Sequence, residues 1–234
     1  MKKPIIGIPA KQPDLIKGDL WHRWEVVDEI RLLVTKFGGV TIMLLPSERT
    51  LDFNKTDAGD TVVLTDEEKQ DLHRQVDLCD GMIMQGGLYS CEFEVEIARY
   101  ALEKDLPMIG ICAGFNNILR ALGSNVYEDL TGSHNHYVMK YRHPVDIVEG
   151  TMIHELIRES RYEVNSMHTM MADEDMVAPY ATIGARDPEG HVESFEVPEK
   201  KFVLAMKWHP ELMSDEEYVT RLFERYIAAC RKGE

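Results

Sequence analysis

The chain has 234 residues, of which 44% are hydrophobic and 29% charged, a balance that excludes disordered, collagen-like and low-complexity polymers. Its 26 Lys and Arg against 41 Asp and Glu leave a formal charge of −15, a field that repels phosphate backbones and anionic bilayers and argues against nucleic-acid or membrane-surface binding. At this size about 70 to 75% of the unfolded surface can be buried, so one domain over residues 1–234 is expected, stable without disulfide or metal.

No basic N-terminal region leads into an apolar stretch, because Met1 to Lys3 run into Pro4-Ile5-Ile6-Gly7-Ile8-Pro9 and then a polar segment. Nor does any segment approach the roughly 20 apolar residues of a membrane span, so a cytoplasmic protein is expected. Cys79, Cys91, Cys112 and Cys230 are scattered without a CxxC pair, which fits reduced thiols better than a disulfide frame or a zinc site.

In chain order, Pro4 to Ile8 reads as a buried strand, and Trp24 to Phe37 carries apolar residues at helical spacing before Gly38-Gly39. Val40 to Leu45 reads as a second strand ending at Pro46, which completes a βαβ unit. Ser47 to Val63 is polar and irregular, a surface insertion or flap. Thr65 with Glu68 forms a capping box that opens a helix to about Leu78. Gly81 to Gln85 is the third strand, Glu92 to Lys104 a helix, and Met108 to Ile111 a fourth strand that enters a helix at Ala113 or Gly114. This alternation predicts an α/β fold, a mainly parallel sheet flanked by helices on both faces, with the ligand site beyond the C-terminal strand ends. Val145 to Val148, Ile183 to Arg186, His191 to Val197 and Phe202 to Lys207 predict added antiparallel strands in the C-terminal half. A capping box from Ser214 to Glu217 predicts a last helix that buries Tyr218, Leu222 and Tyr226.

Three motifs carry chemistry. The strand Met108 to Ile111 runs into Gly110-Ile111-Cys112-Ala113-Gly114 and then a helix, the cysteine counterpart of a nucleophile elbow. The flanking glycines leave room for the sharp turn, and the helix N-terminus favours thiolate over thiol. Trp208-His209-Pro210-Glu211, after an apolar strand, offers an imidazole and a carboxylate to orient it in one rigid turn. Met84-Gln85-Gly86-Gly87 ends the third strand, where a backbone N–H, together with that of Ala113, can form an oxyanion hole. Each has a plainer reading: a small buried cysteine, a structural histidine, a strand-to-loop turn.

In the order Gly-Gly, Cys, His-x-Glu, these motifs resemble the class I glutamine amidotransferase-like superfamily, of flavodoxin-like architecture. They are most similar to its stand-alone γ-glutamyl hydrolases, the γ-glutamyl-γ-aminobutyrate hydrolase or peptidase C26 group. Supporting likenesses span nearly the whole chain: Pro4 to Ile8, Leu106 to Cys112, Val126 to Leu130, His143-Pro144-Val145, Val164-Asn165-Ser166-Met167-His168, Ala185 to Glu193 and Trp208 to Glu211. The resemblance implies that Cys112 is the nucleophile, His209 its general base and acid, and Glu211 the residue that orients His209. It also implies oxyanion-hole N–H groups from Gly87 and Ala113 and a substrate pocket that includes Gly86, Asn116, Ser166 and His168. The implied reaction is cleavage of a γ-glutamyl amide through an acyl-enzyme to glutamate and an amine, on a small-molecule substrate, with no metal or organic cofactor. A glutaminase subunit that depends on a separate synthetase and a non-catalytic binding member of the fold are the alternatives, and a homodimer is left open.

The chain departs from the family where substrate is held. The hydrolases commonly carry Cys-Arg-Gly-x-Gln, whereas here Cys112-Ala113-Gly114-Phe115-Asn116 replaces both the Arg and the Gln, and only Leu88-Tyr89-Ser90-Cys91 precede the next helix. Asn116 reaches one methylene less than Gln. Retained chemistry with shifted specificity is the expectation. Cys91 reads as a helix-start cysteine, His134-Asn135-His136 with His143 as a polar loop or pocket wall rather than a metal site, and Trp21-His22-Arg23-Trp24 as a pocket-rim, dimer or core cluster.

Overall fold

A computed structural model of the chain describes residues 2–11, 23–47, 63–87, 91–129 and 141–231. Most of the expected insertion (48–62), Trp21-His22, Leu88 to Ser90 and His134 to His136 lie outside them.

Nine strands form one sheet in the order β2-β1-β3-β4-β11-β10-β9-β6-β7. β1 (Ile5–Pro9) pairs in parallel with β2 (Val40–Leu44) on one side and β3 (Gly81–Met84) on the other. β4 (Met108–Ile111) and β11 (Val203–Met206) continue the parallel half. From β11 outward every pairing is antiparallel, through β10 (Val192–Glu196), β9 (Thr182–Arg186), β6 (Arg142–Ile147) and β7 (Arg161–Asn165). Two short strands, β5 (Tyr127–Glu128) and β8 (Met170–Met171), pair separately. The expected parallel-then-antiparallel plan is therefore observed.

Strand alternation divides the interior into two layers. Ile83, Ile109, Ile111, Leu204 and Met206 face α1 (Asp28–Lys36), α5 (Met152–Ile157) and α7 (Glu217–Cys230). Met82, Met84, Met108, Val203 and Ala205 face the other way, where they meet α2 (Asp66–Val76), α3 (Glu92–Glu103) and α4 (Ala113–Ala121). A sheet covered on both faces explains why its parallel strands read as near-continuous apolar runs.

Several boundaries moved for identifiable reasons. The helix expected from Trp24 begins at Asp28, because the Val27 N–H is taken by Gln85 Oε1 at 2.9 Å and Glu25 forms a backbone bridge with Lys11. Thr65 and Glu68 do form the reciprocal capping box that opens α2. The capping box expected at Ser214 does not form: α7 starts at Glu217, with Glu216 as N-cap and no side-chain cap bond. The Glu216 carboxylate is engaged elsewhere, accepting from Tyr162 Oη at 2.9 Å, and the Glu216 N–H turns back onto Met213 O. Tyr218, Leu222 and Tyr226 of α7 are nevertheless buried as expected. β6 begins before Pro144; β9 pairs only with Asp146 and Ile147, so the proline meets no ladder on that side. β7, α5 and α6 (Glu174–Val177) were not anticipated as elements.

Candidate active site at the strand ends

Cys112 occupies the junction between β4 and α4 with φ 51° and ψ −107°. Three non-glycine residues among those described have positive φ, but Arg158, at φ 68° and ψ 23°, sits in the ordinary left-handed basin, whereas Cys112 lies far from it in ψ. Such a conformation costs on the order of 1–3 kcal/mol and persists only where its surroundings enforce it. The Cys112 N–H donates to Met206 O at 2.9 Å, which ties the turn to the end of β11. A Cβ on Gly114 would overlap the Met84 carbonyl, and one on Gly110 would come within 2.7 Å of Ile118 Cδ1. Both glycines of the Gly-x-Cys-x-Gly turn are thus required by close packing of α4 on the sheet. Ala113 is the first residue of α4, so its N–H is among those without an intrahelical acceptor.

His209 follows β11 and caps a single 3₁₀ turn, Pro210–Leu212, which carries Glu211. Its Nδ1 donates to Glu211 Oε1 at 2.7 Å, and its Nε2 is buried with no hydrogen-bond partner among the described residues. A Cβ on Gly86 would stand 2.9 Å from His209 Cε1 and 3.4 Å from Cys112 Cβ, so imidazole and thiol share the space that a glycine leaves open. The backbone of His209 is clamped twice by Asn165 at the end of β7: Oδ1 accepts from the His209 N–H at 2.7 Å and Nδ2 donates to the His209 carbonyl at 2.9 Å. Next door, Trp208 is wholly buried and donates to Tyr218 Oη at 3.1 Å. The thiol donates to Met167 O at 3.7 Å.

Charge decides the state of these groups. Burial alone would push the Cys112 thiol up, but the facing His209, then His168 and Lys207, reverse this and bring it down to about 7. Burial pulls His209 down, yet Glu211 and Cys112 carry it well above its usual value. The pair therefore favours thiolate and imidazolium, the form a nucleophile–acid pair needs for attack and protonation of a leaving group.

Of the other expected site residues, Gly86 is buried against the imidazole and Gly87 is exposed beneath the Lys11 stem, whose ammonium pairs with Glu94 of α3 at 2.7 Å. Asn116 lies one turn after Cys112, its Oδ1 accepting from Lys207 Nζ at 2.6 Å. Ser166 is buried, and its hydroxyl finds no partner among the described residues. His168 is buried with Nε2 3.4 Å from Glu193 Oε1.

His143, His168 and Glu193 bring one ligand atom each to within 4.8 Å of one another, a set able to hold a small divalent cation. A competing account is internal charge balance. Burial raises the Glu193 carboxyl, but His168, then His143 and Lys207, hold it below its usual value. Trp24 packs edge-on against Phe93 of α3 with centroids 5.9 Å apart, so that member of the tryptophan cluster faces the interior. Cys91 is the N-cap of α3. Sequence reasoning missed the positioning parts: Asn165, Lys207, Glu193, and Gln85, whose Nε2 donates to Pro9 O at 2.7 Å. Asn165, Glu193 and Gln85 each had a local signal, in the Asn-Ser-x-His segment, the Ala185 to Glu193 stretch and the Met84 to Gly87 turn; Lys207 had none.

Compared with known proteins, residues 4–211 match the Peptidase C26 family. The chain belongs to that family. The γ-glutamyl-γ-aminobutyrate hydrolase PuuD of Escherichia coli (strain K12) is 32% identical over 151 residues, covering 58% of this chain and 58% of the relative. A CTP synthase of Pyrococcus abyssi is 24% identical over 186 residues, covering 65% of this chain but 34% of its own. The chain thus spans little more than half the length of the curated hydrolase it matches. Among solved structures, a glutamine amidotransferase of Thermotoga maritima superimposes with a TM-score of 0.62 over 99% of this chain and all of its own, at 14% identity. The glutaminase domain of Trypanosoma brucei CTP synthase, with bound acivicin, gives 0.62 over 97% and 94% at 17% identity. The fold of this C26 member is that of the glutamine amidotransferases. No helix among the described residues is long and apolar enough to cross a membrane.

Proposed function

We propose that this protein hydrolyses γ-glutamyl amide bonds, using Cys112 as nucleophile, His209 as general base and acid, and Glu211 to orient and stabilise the imidazolium. The observation that carries the reading is the Cys112 turn, a strained nucleophile facing an imidazole whose far nitrogen is held at 2.7 Å by a carboxylate. The Cys112 thiolate attacks the γ-carbonyl carbon, and the developing oxyanion is stabilised by the N–H groups of Gly87 and Ala113. His209 Nε2–H then passes its proton to the departing amine as the C–N bond breaks, leaving a thioester. The now neutral imidazole takes a proton from water, whose hydroxide attacks the thioester; glutamate leaves and the thiolate–imidazolium pair returns. Gly86 gives the reacting groups their space, and Asn116, His168 and Ser166 are assigned to holding the acyl group.

The test is glutamate release from a panel of γ-glutamyl amines, γ-glutamyl peptides and glutamine, read by mass spectrometry, with Cys112→Ala as blank. Cleavage of at least one class that vanishes in the variant is expected; a folded wild-type protein that cleaves none overturns the reading. Similarity to CTP synthases supports a second reading, a glutaminase that serves a separate synthetase. It predicts that glutamine alone is cleaved, and slowly, until a partner is added.

A further inference from the structure

Lys207 carries a charge into the interior that helps to lower the Cys112 thiol but takes no direct part in the acyl-transfer steps. The residue is 1% exposed, and a buried ammonium is costly unless its N–H groups find partners. Its Nζ donates to Asn116 Oδ1 at 2.6 Å and to Met170 O at 2.9 Å, and lies 4.4 Å from the centroid of the Phe115 ring. That ring is braced in turn by Phe195, edge to face at 4.6 Å. Lys207 stands two residues before His209. Asn116 stands one turn after Cys112 on the same face of α4, its N–H directed at Cys112 O at 3.4 Å.

An ammonium donates and never accepts, so it decides which end of the Asn116 amide is which. Oδ1 is committed to Lys207. Nδ2 makes no hydrogen bond to a described residue. Asn116 retains 7% exposure, comparable to Cys112 at 7% and His209 at 8%. A free asparagine could turn either its oxygen or its nitrogen to a ligand; this one can offer only donors.

We propose that Lys207 is a positioning residue that locks Asn116 as a donor-only element of the pocket, so that the site selects acyl groups bearing a carboxylate about one helical turn from the scissile carbonyl. A carboxylate at that point gains charge-assisted hydrogen bonds and the field of the buried ammonium. Its carboxamide gains a weaker bond, and an ammonium there meets repulsion. The assignment rests on the γ-glutamyl reading above for the identity of the acyl group.

Calorimetric titration of glutamate and of its α-amide into wild type, N116D and K207M tests it, with hydrolysis of a γ-glutamyl amide followed in parallel. Wild type is expected to bind glutamate at least about tenfold more tightly than the α-amide, the factor that a hydrogen bond to a charged group is worth. N116D keeps a partner for Lys207 but turns an oxygen to the ligand, so the preference is lost or inverted. K207M frees the amide and brings the ratio towards one; if it does not fold, N116D still decides. An equal affinity for both ligands in wild type, binding of neither, an N116D protein with the wild-type ratio, or a folded K207M that weakens both ligands equally overturns the proposal. Selective binding without any hydrolysis overturns the amidase reading and leaves this one standing; hydrolysis without selectivity does the reverse.

Discussion

The two ends of the parallel strands hold buried cysteines of opposite character. At the C-terminal end, Cys112 is 7% exposed and its thiol is lowered to about 7. At the N-terminal end, Cys79 and Cys230 are 3% and 2% exposed, and burial pushes both thiols up to about 12. Desolvation acts on all three, so burial does not distinguish them. What differs is the balance of charge: His209, His168 and Lys207 together outweigh burial at Cys112, while the Tyr226 hydroxyl and Lys201 do not outweigh it at Cys230, and Cys79 feels the negative charge of Asp80. The opposite end is also sealed by close packing, since a Cβ on Gly81 would overlap Cys230 Sγ and one on Gly7 would come within 2.6 Å of Cys79 Sγ.

The largest expected effect breaks the contrast outright. Cys112→Ala should reduce glutamate release by about 10⁴-fold or more, to background, with an unchanged circular dichroism spectrum. Activity that survives would show that the two ends of the sheet are equivalent after all. Glu211→Gln, nearly isosteric, leaves the imidazolium without its carboxylate and should lower kcat by roughly 10² to 10⁴-fold, as steady-state kinetics would read.

The contrast is sharpened by the pH dependence of alkylation. Cys112 should react at a rate that rises with pH through a midpoint near 7, because the thiol loses its proton there and regains it as pH falls. Cys79 and Cys230 should stay unmodified in the folded protein to pH 9, below their values of about 12. Peptide mapping after timed iodoacetamide treatment separates the three. The smallest effect is expected at the silent end: Cys230→Ala should cost about 1 kcal/mol in denaturant unfolding and change kcat/KM by less than about twofold.

Much of this was legible in local sequence. The βαβ alternation, the Gly-x-Cys-x-Gly turn and the His-x-Glu pair are each written within a few residues, because turns, helix starts and strand periods are short-range properties. The Asn165 clamp on His209 and the Lys207 lock on Asn116 join residues 44 and 91 positions apart, and nothing near either partner announces the other. Lys207 is the clearest case. A lysine between Met206 and Trp208 reads as the solvent side of a strand, and only packing against α4 turns it inward. The Ser214 cap failed for a related reason: Glu217, its expected partner, pairs with Arg221, and Glu216 with Tyr162 and Arg142, so the helix begins two residues late.

The double clamp from Asn165 also bears on the order in which the protein is made. Cys112 leaves the ribosome well before His209, and until β7 and β11 have joined the sheet nothing holds an imidazole over it. A nascent chain, or a fragment cut before β11, therefore carries a thiol of ordinary reactivity. On the proposed triad, chemical competence arrives with the last strand, so a half-built molecule would be inert by construction.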